Sequence, residues 1–94
     1  MTEKDIEIYF CKEIGKRKGK AYKFISPTAN GVPDRIVLAP CGKIAFVELK
    51  APGKKPRKLQ LYTFKQFEKL GFKVEVIDSF EKVDKFVDVM FNAI

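Results

Sequence analysis

The chain is predicted to fold as a small α/β domain in the order helix, three strands, helix, strand, helix, with a mixed central sheet flanked by the helices. Three observations predict it. Ile6, Phe10 and Ile14 recur at four-residue intervals near the start, the period of one helix face. Two strand-like runs, 35–39 and 43–50, flank the short turn Pro40-Cys41-Gly42-Lys43, which folds them into an antiparallel hairpin. Residues 58–70 then form a helix-length connection to one more short strand, the crossover that parallel pairing requires.

Each element carries its own signals. Thr2 opens the first helix with Asp5 at capping-box spacing, Tyr9 lies near its apolar face, and Gly15 is placed at its stop. Residues 21–26 read as the first strand, with Tyr22, Phe24 and Ser26 on one face. Pro27-Thr28-Ala29-Asn30-Gly31 is a loop, and Pro33 restricts the backbone just before Asp34. The second helix ends at Gly71, with Leu59, Tyr62, Phe67 and Leu70 as its expected buried face. Residues 72–77 form the fourth strand. Ser79 caps a last helix whose stripe of Phe80, Val83, Phe86, Val87, Met90 and Phe91 serves as core, and is wide enough to include a dimer contact.

Length and composition bound the function. Residues 1–94 make one domain without internal repeat or low-complexity tract. With 46% hydrophobic residues and nine Phe the chain can bury a core, and 33% charged residues clothe its surface. A net charge of +7 points to a polyanion, either nucleic acid or an anionic membrane surface; the plainer alternative is a basic protein with no such partner. No apolar run approaches the ~20 residues that span a bilayer. The charged start, Met1-Thr2-Glu3-Lys4-Asp5, lacks a signal peptide's apolar segment. Cys11 and Cys41 read as reduced thiols, so a cytoplasmic protein is expected. The chain has no histidine, which excludes Cys-His zinc fingers, histidine triads and histidine-based phosphodiesterases. Hydrolysis here has to run on carboxylates, lysine and an oxygen-preferring metal.

The chemistry concentrates in Asp34, Glu48 and Lys50. Strand period places Glu48 and Lys50 on one face while Val47 and Leu49 point into the core. The hairpin brings Asp34 alongside Glu48. A carboxylate pair beside an ammonium suits a metal site that handles phosphate. Glu3 and Glu7 lie one turn apart on the first helix; each either points at the shared site or is a solvated acid near the positive end of the helix dipole. Gln60, in the first turn of the second helix, either holds a phosphate oxygen or a water, or is ordinary surface. Lys54, Lys55, Arg57 and Lys58 leave the strand that carries Lys50 and are assigned to a nucleic-acid backbone in preference to a solvated connector. Lys16, Arg17 and Lys18 form a basic turn that is either a phosphate contact or a solvated loop.

These residues carry a resemblance. Pro33-Asp34 and Glu48-Leu49-Lys50, with the helical Glu3 upstream and Gln60 downstream, resemble the PD-(D/E)XK nuclease superfamily. The Gly31-Val32-Pro33-Asp34 lead-in, the strand Phe46-Val47-Glu48-Leu49-Lys50-Ala51 and Gln60 in the next helix resemble its stand-alone VRR-NUC branch, often found in phages; the Val-Arg-Arg triplet behind that name is absent. The resemblance covers nearly the whole chain, including the element order. It implies the restriction-endonuclease-like core and a metal-dependent DNA endonuclease. Asp34 and Glu48, with the backbone carbonyl of Leu49, would ligate Mg²⁺ or Mn²⁺, and Glu3 would complete or orient a second metal or its waters. Lys50 would position the attacking water and stabilise charge on the phosphorane, and Gln60 would orient Lys50 or the phosphate. Small relatives resemble Holliday-junction resolvases, so a homodimer cutting four-way or other branched DNA is expected, with no small-molecule cofactor and no membrane partner. Other readings of the same residues are a flap or general nicking nuclease, a non-catalytic nucleic-acid-binding module with this fold, or a structural domain whose acid-base pair is an ordinary salt bridge.

Overall fold

The structure is a computed structural model in which residues 1–92 are described. The elements follow the expected order: α1 (Glu3–Lys16), β1 (Lys20–Lys23), β2 (Arg35–Ala39), β3 (Lys43–Leu49), α2 (Lys58–Lys69), β4 (Val74–Ile77) and α3 (Phe80–Phe91). The strands lie in the spatial order β1-β2-β3-β4. The first two pairings are antiparallel and β3 runs parallel to β4, as a hairpin followed by a helical crossover dictates.

Period two splits the sheet into two faces. Val37, Ala45, Val47, Leu49 and Ile77 point to one side and pack with Ile6, Phe10 and Ile14 of α1 and Val83, Val87, Met90 and Phe91 of α3. The other side carries Phe46, whose ring meets Phe67 and Phe72 edge-on at centroid distances of 4.8 and 5.6 Å. The central strand β3 is thus buried on both faces from Phe46 to Leu49, and Glu48 is taken into the interior with it. Apolar neighbours on each side make that burial favourable by ~25 cal/mol per Å² of apolar surface, while the Glu48 carboxylate has to be compensated by its own bonds.

The Thr2–Asp5 capping box is formed, with Asp5 N–H donating to Thr2 Oγ1 at 3.2 Å and Thr2 N–H to Asp5 at 2.8 Å. Ser79 caps α3 through the N–H of Lys82 at 3.1 Å. The end of α1 differs from expectation. Gly15 stays helical, and the left-handed position falls on Lys18 at φ 65°. Lys18 N–H reaches the Gly15 carbonyl and Gly19 N–H the Ile14 carbonyl, at 3.0 and 3.1 Å, which together form a Schellman motif. The left-handed place falls on Lys18 because it directly follows the C-cap Arg17, while Gly19 serves packing: a Cβ there would lie 2.7 Å from the Phe91 ring.

Two strand ends and one helix face also shift. β1 stops at Lys23, because Ser26 Oγ accepts the N–H of Ala29 at 3.2 Å and turns the chain. β4 starts at Val74, because Phe72 is held in the stop of α2, its N–H on the Phe67 carbonyl at 3.1 Å and Gly71 left-handed at φ 93°. The buried face of α2 is Gln60, Thr63 and Phe64, with Phe67 half-buried; Leu59, Tyr62 and Leu70 are exposed. The helix is rotated so that its polar first turn meets Glu48 and the loop before β2.

Candidate active site

β2 and β3 pair as far as Arg35 opposite Val47, which leaves Asp34 opposite Glu48 one step further on. There side chains take over from the backbone ladder. Asp34 N–H donates to Glu48 Oε1 at 3.1 Å, and Leu49 N–H donates to Asp34 Oδ1 at 3.2 Å. Both carboxylates are thereby fixed at the end of the sheet, against strands rather than on a mobile loop.

The second oxygen of Glu48 collects a donor and a cation. Gln60 Nε2 donates to Oε2 at 2.8 Å, and Lys50 Nζ lies 3.2 Å from the same atom. Gln60 is oriented in turn by the N–H of Arg57, which donates to its Oε1 at 2.9 Å. That bond fixes which end of the amide faces Glu48. So the burial of Glu48 is balanced by the N–H of Asp34, the amide of Gln60 and the positive charge of Lys50.

Asp34 is more weakly compensated. Burial, and next the negative charge of Glu48, push its carboxyl up to about 6, against the N–H of Leu49 and the charge of Arg35. Its Oδ2 has no donor among the described residues. A carboxylate offers about four lone-pair positions; Asp34 has most of its own free and Glu48 retains one. An all-oxygen set of this kind, two carboxylates plus the carbonyl of Leu49, fits a hard divalent cation that keeps much of its water. Among the described residues no three His, Cys, Asp or Glu side chains gather closely enough to form a complete cage.

The two helical acids differ in their partners. Glu7 is occupied by Lys4 and Arg35, which hold its carboxyl below the usual range. Arg35 is buried and also donates to the Ala21 carbonyl at 3.1 Å, so this pair ties α1 to the start of β2. Glu3 has no ion-pair partner among the described residues, and its charge adds to those raising Asp34. It stands at the margin of the site rather than in contact with both carboxylates.

The loop holding Lys54, Lys55, Arg57 and Lys58 is exposed and leaves directly from Lys50. It is pinned where Gly53 N–H meets Asp78 Oδ2 at 3.1 Å. Lys16, Arg17 and Lys18 lie at the far end of α1, ~20 Å along the helix from Glu3 at ~1.5 Å per residue. Lys16 pairs with Glu13 at 2.9 Å and Arg17 with Asp88 at 3.2 Å, so two of these three cations serve local contacts.

Sequence reading missed Thr63 and the role of Gly31. Thr63 Oγ1 donates to the Asn30 carbonyl at 2.8 Å. Gly31, at φ 78°, packs so closely on α2 that a Cβ would lie 3.0 Å from the Leu59 carbonyl oxygen and 3.1 Å from Thr63 Oγ1. The helix that carries Gln60 and the loop that leads to Asp34 are therefore clamped together. The signal was the stripe Gln60, Thr63, Phe64, Phe67, a helix face whose first members are polar.

No family model matches the chain. It is 51% identical over 79 residues to "Putative nuclease p44" of Acyrthosiphon pisum secondary endosymbiont phage 1, covering 84% of this chain and 85% of that protein. Among solved structures it matches a VRR_NUC domain with a TM-score of 0.85 and 32% identity, covering 94% of this chain and 97% of the other. Sequence and fold agree, and the chain belongs to the VRR-NUC family of nuclease domains.

Proposed function

We propose that this nuclease domain is a metal-dependent DNA endonuclease, active as a homodimer, that cuts four-way junctions or other branched DNA. The observation that carries the reading is the Glu48 carboxylate, which Asp34, Gln60 and Lys50 all address at one end of the sheet. Asp34, Glu48 and the Leu49 carbonyl would hold Mg²⁺ or Mn²⁺, with Glu3 steering water at the margin. When bound, the cation supplies Lewis-acid polarisation of the phosphate and activation of water.

The chain's own residues do the rest. Gln60 holds Glu48 in one rotamer, so its oxygens face the site without reorganisation. Lys50 brings a fixed positive charge to the place where the scissile phosphate gains negative charge. The loop 54–58 holds the flanking backbone through charge, which carries no base sequence and favours recognition by shape. A dimer would set two such sites for paired strands.

A labelled four-way junction, a flap and a plain duplex incubated with Mg²⁺, Mn²⁺ or chelator test this, with sedimentation of the free protein alongside. Paired, metal-dependent cuts confined to the junction, from a protein that sediments as a dimer, are expected. Equal cutting of all three substrates by a monomer overturns the junction reading while leaving a nuclease.

A further inference from the structure

A groove of about 610 Å³ lies between β4 and α3, away from the carboxylates. Its floor includes Ala45, Ile77, Phe86 and Met90, and its rim carries Lys43, Lys73, Lys82 and Lys85 with one acid, Glu75. Lys73 is paired with Glu75 at 3.1 Å and Lys82 with Asp78 at 2.9 Å. Lys43 and Lys85 have no ion-pair partner among the described residues.

Two features give this groove a direction. Asp78, which holds Lys82, also accepts the N–H of Gly53 at 3.1 Å, so the rim joins the base of the basic loop beside the active site. The charges of α3 are also segregated. Asp84 accepts the Tyr9 hydroxyl and Asp88 pairs with Arg17, both on the side of α1, whereas Lys82 and Lys85 line the groove.

We propose that this groove is a second contact for the DNA backbone, carrying the duplex away from the site along the β4 edge. The proposal rests on the nuclease reading and extends it by a named surface. A rim with a net positive charge, two of its lysines unpaired among the described residues and its base tied through Asp78 to the site's own basic loop, matches a polyanion passing over both. A second copy of the chain fits poorly, because a two-fold contact here would set the lysines against one another. β3 extends ~20 Å from Leu49 back to Lys43 at ~3.3 Å per residue. At ~3.4 Å of duplex axis per phosphate of one strand, the groove adds on the order of six phosphates per strand to the footprint.

The test uses the full chain and the double variant Lys43→Gln/Lys85→Gln, which breaks no ion pair; thermal melts confirm that it folds. Binding is read by fluorescence anisotropy in chelator, over a range of salt, on duplexes of about 30 and about 10 base pairs. On the longer duplex the slope of log affinity against log salt falls by about 2 in the variant, since each phosphate contact contributes ~0.9. On the shorter duplex the fall is less than half of that. Superimposed slopes on the longer duplex, or an equal fall on both, overturn the groove. Wild-type cutting with Mg²⁺ or Mn²⁺ is measured on the same preparation. If wild type cuts and the slopes superimpose, only the groove fails; if it neither binds nor cuts, the nuclease reading fails and the groove with it.

Discussion

Asp34 and Glu48 replace one rung of the β2–β3 ladder with their side chains: the N–H of Asp34 rests on the Glu48 carboxylate at 3.1 Å, and the Asp34 carboxylate takes the N–H of Leu49 at 3.2 Å. The bonds that position the two acids are thus the bonds that close the sheet. A change in either residue alters both the local fold and the chemistry, so mutants have to be read for stability and for rate together.

On the proposed nuclease reading, Gln60 is a positioning residue, since it donates to Glu48 and is itself held by the N–H of Arg57. Gln60→Leu leaves Glu48 Oε2 without its amide donor and strands the N–H of Arg57. A loss of about 1–3 kcal/mol is expected from the unsatisfied groups. Cleavage falls further, by about 10–100-fold, as for other groups that orient a metal ligand. Thermal melts and single-turnover rates check the two effects. A variant that melts earlier yet cuts at the wild-type rate refutes the orienting role.

Gly31 links the two halves of the site. Gly31→Ala introduces a left-handed alanine, at about 1–2 kcal/mol, and a Cβ 3.0 Å from the Leu59 carbonyl oxygen. The loop has to move off α2 and carry Asp34 with it. Cleavage measured well below the melting temperature should be reduced at least tenfold, about 1.4 kcal/mol in the barrier. Thr63→Val, which removes the bond to the Asn30 carbonyl, should show a weaker form of the same defect. Full activity in both variants would show that the clamp is dispensable.

Asp34 makes the metal-free protein sensitive to pH. Its carboxyl titrates at about 6 when folded, against an ordinary 3.8. The folded chain therefore binds this proton more tightly. The stability it contributes is complete below 3.8 and is lost as pH rises through about 6. Asp34→Asn removes that loss. In chelator the variant should melt above wild type at about pH 8, and the gap should close towards about pH 4. A gap of the same size at both pH values contradicts the assignment.

Lys18 holds a conformation that suits glycine. Its φ of 65° closes the Schellman motif of α1, and the adjacent Gly19 is committed to the Phe91 ring. Lys18→Gly should stabilise the fold by up to about 1–2 kcal/mol, the cost of a left-handed residue that carries a Cβ, visible as a higher melting temperature. A lower melting temperature would mean that the lysine side chain contributes something the turn geometry does not show.

Much of this was legible in the sequence because period and spacing report it directly. The order of elements, the capping box of α1 and the serine cap of α3 follow from residues whose neighbours lie within one turn. So does the placing of Asp34 beside Glu48, since a tight turn fixes strand register. The rotation of α2 was not legible. Counting apolar residues selects Leu59, Tyr62 and Leu70, but the helix turns on Gln60 and Thr63, whose partners Glu48 and Asn30 are distant in sequence. The same limit hid the stop of α1: Gly15 carried the usual local signal, whereas the contact of Gly19 with Phe91 is tertiary. Glu3 and Glu7 lie one turn apart, so spacing lets either face the site; the ion pairs of Glu7 with Lys4 and with Arg35 of β2, the second of them distant in sequence, distinguish them.

The most direct test of the Asp34–Glu48 centre is a Mn²⁺ titration followed by both melting temperature and cleavage of a four-way junction, for wild type and Glu48→Gln. Wild type is expected to gain thermal stability and cutting over one range of metal concentration, and Glu48→Gln to lose both while still binding the junction. Metal-dependent cutting at the wild-type rate by Glu48→Gln would contradict it.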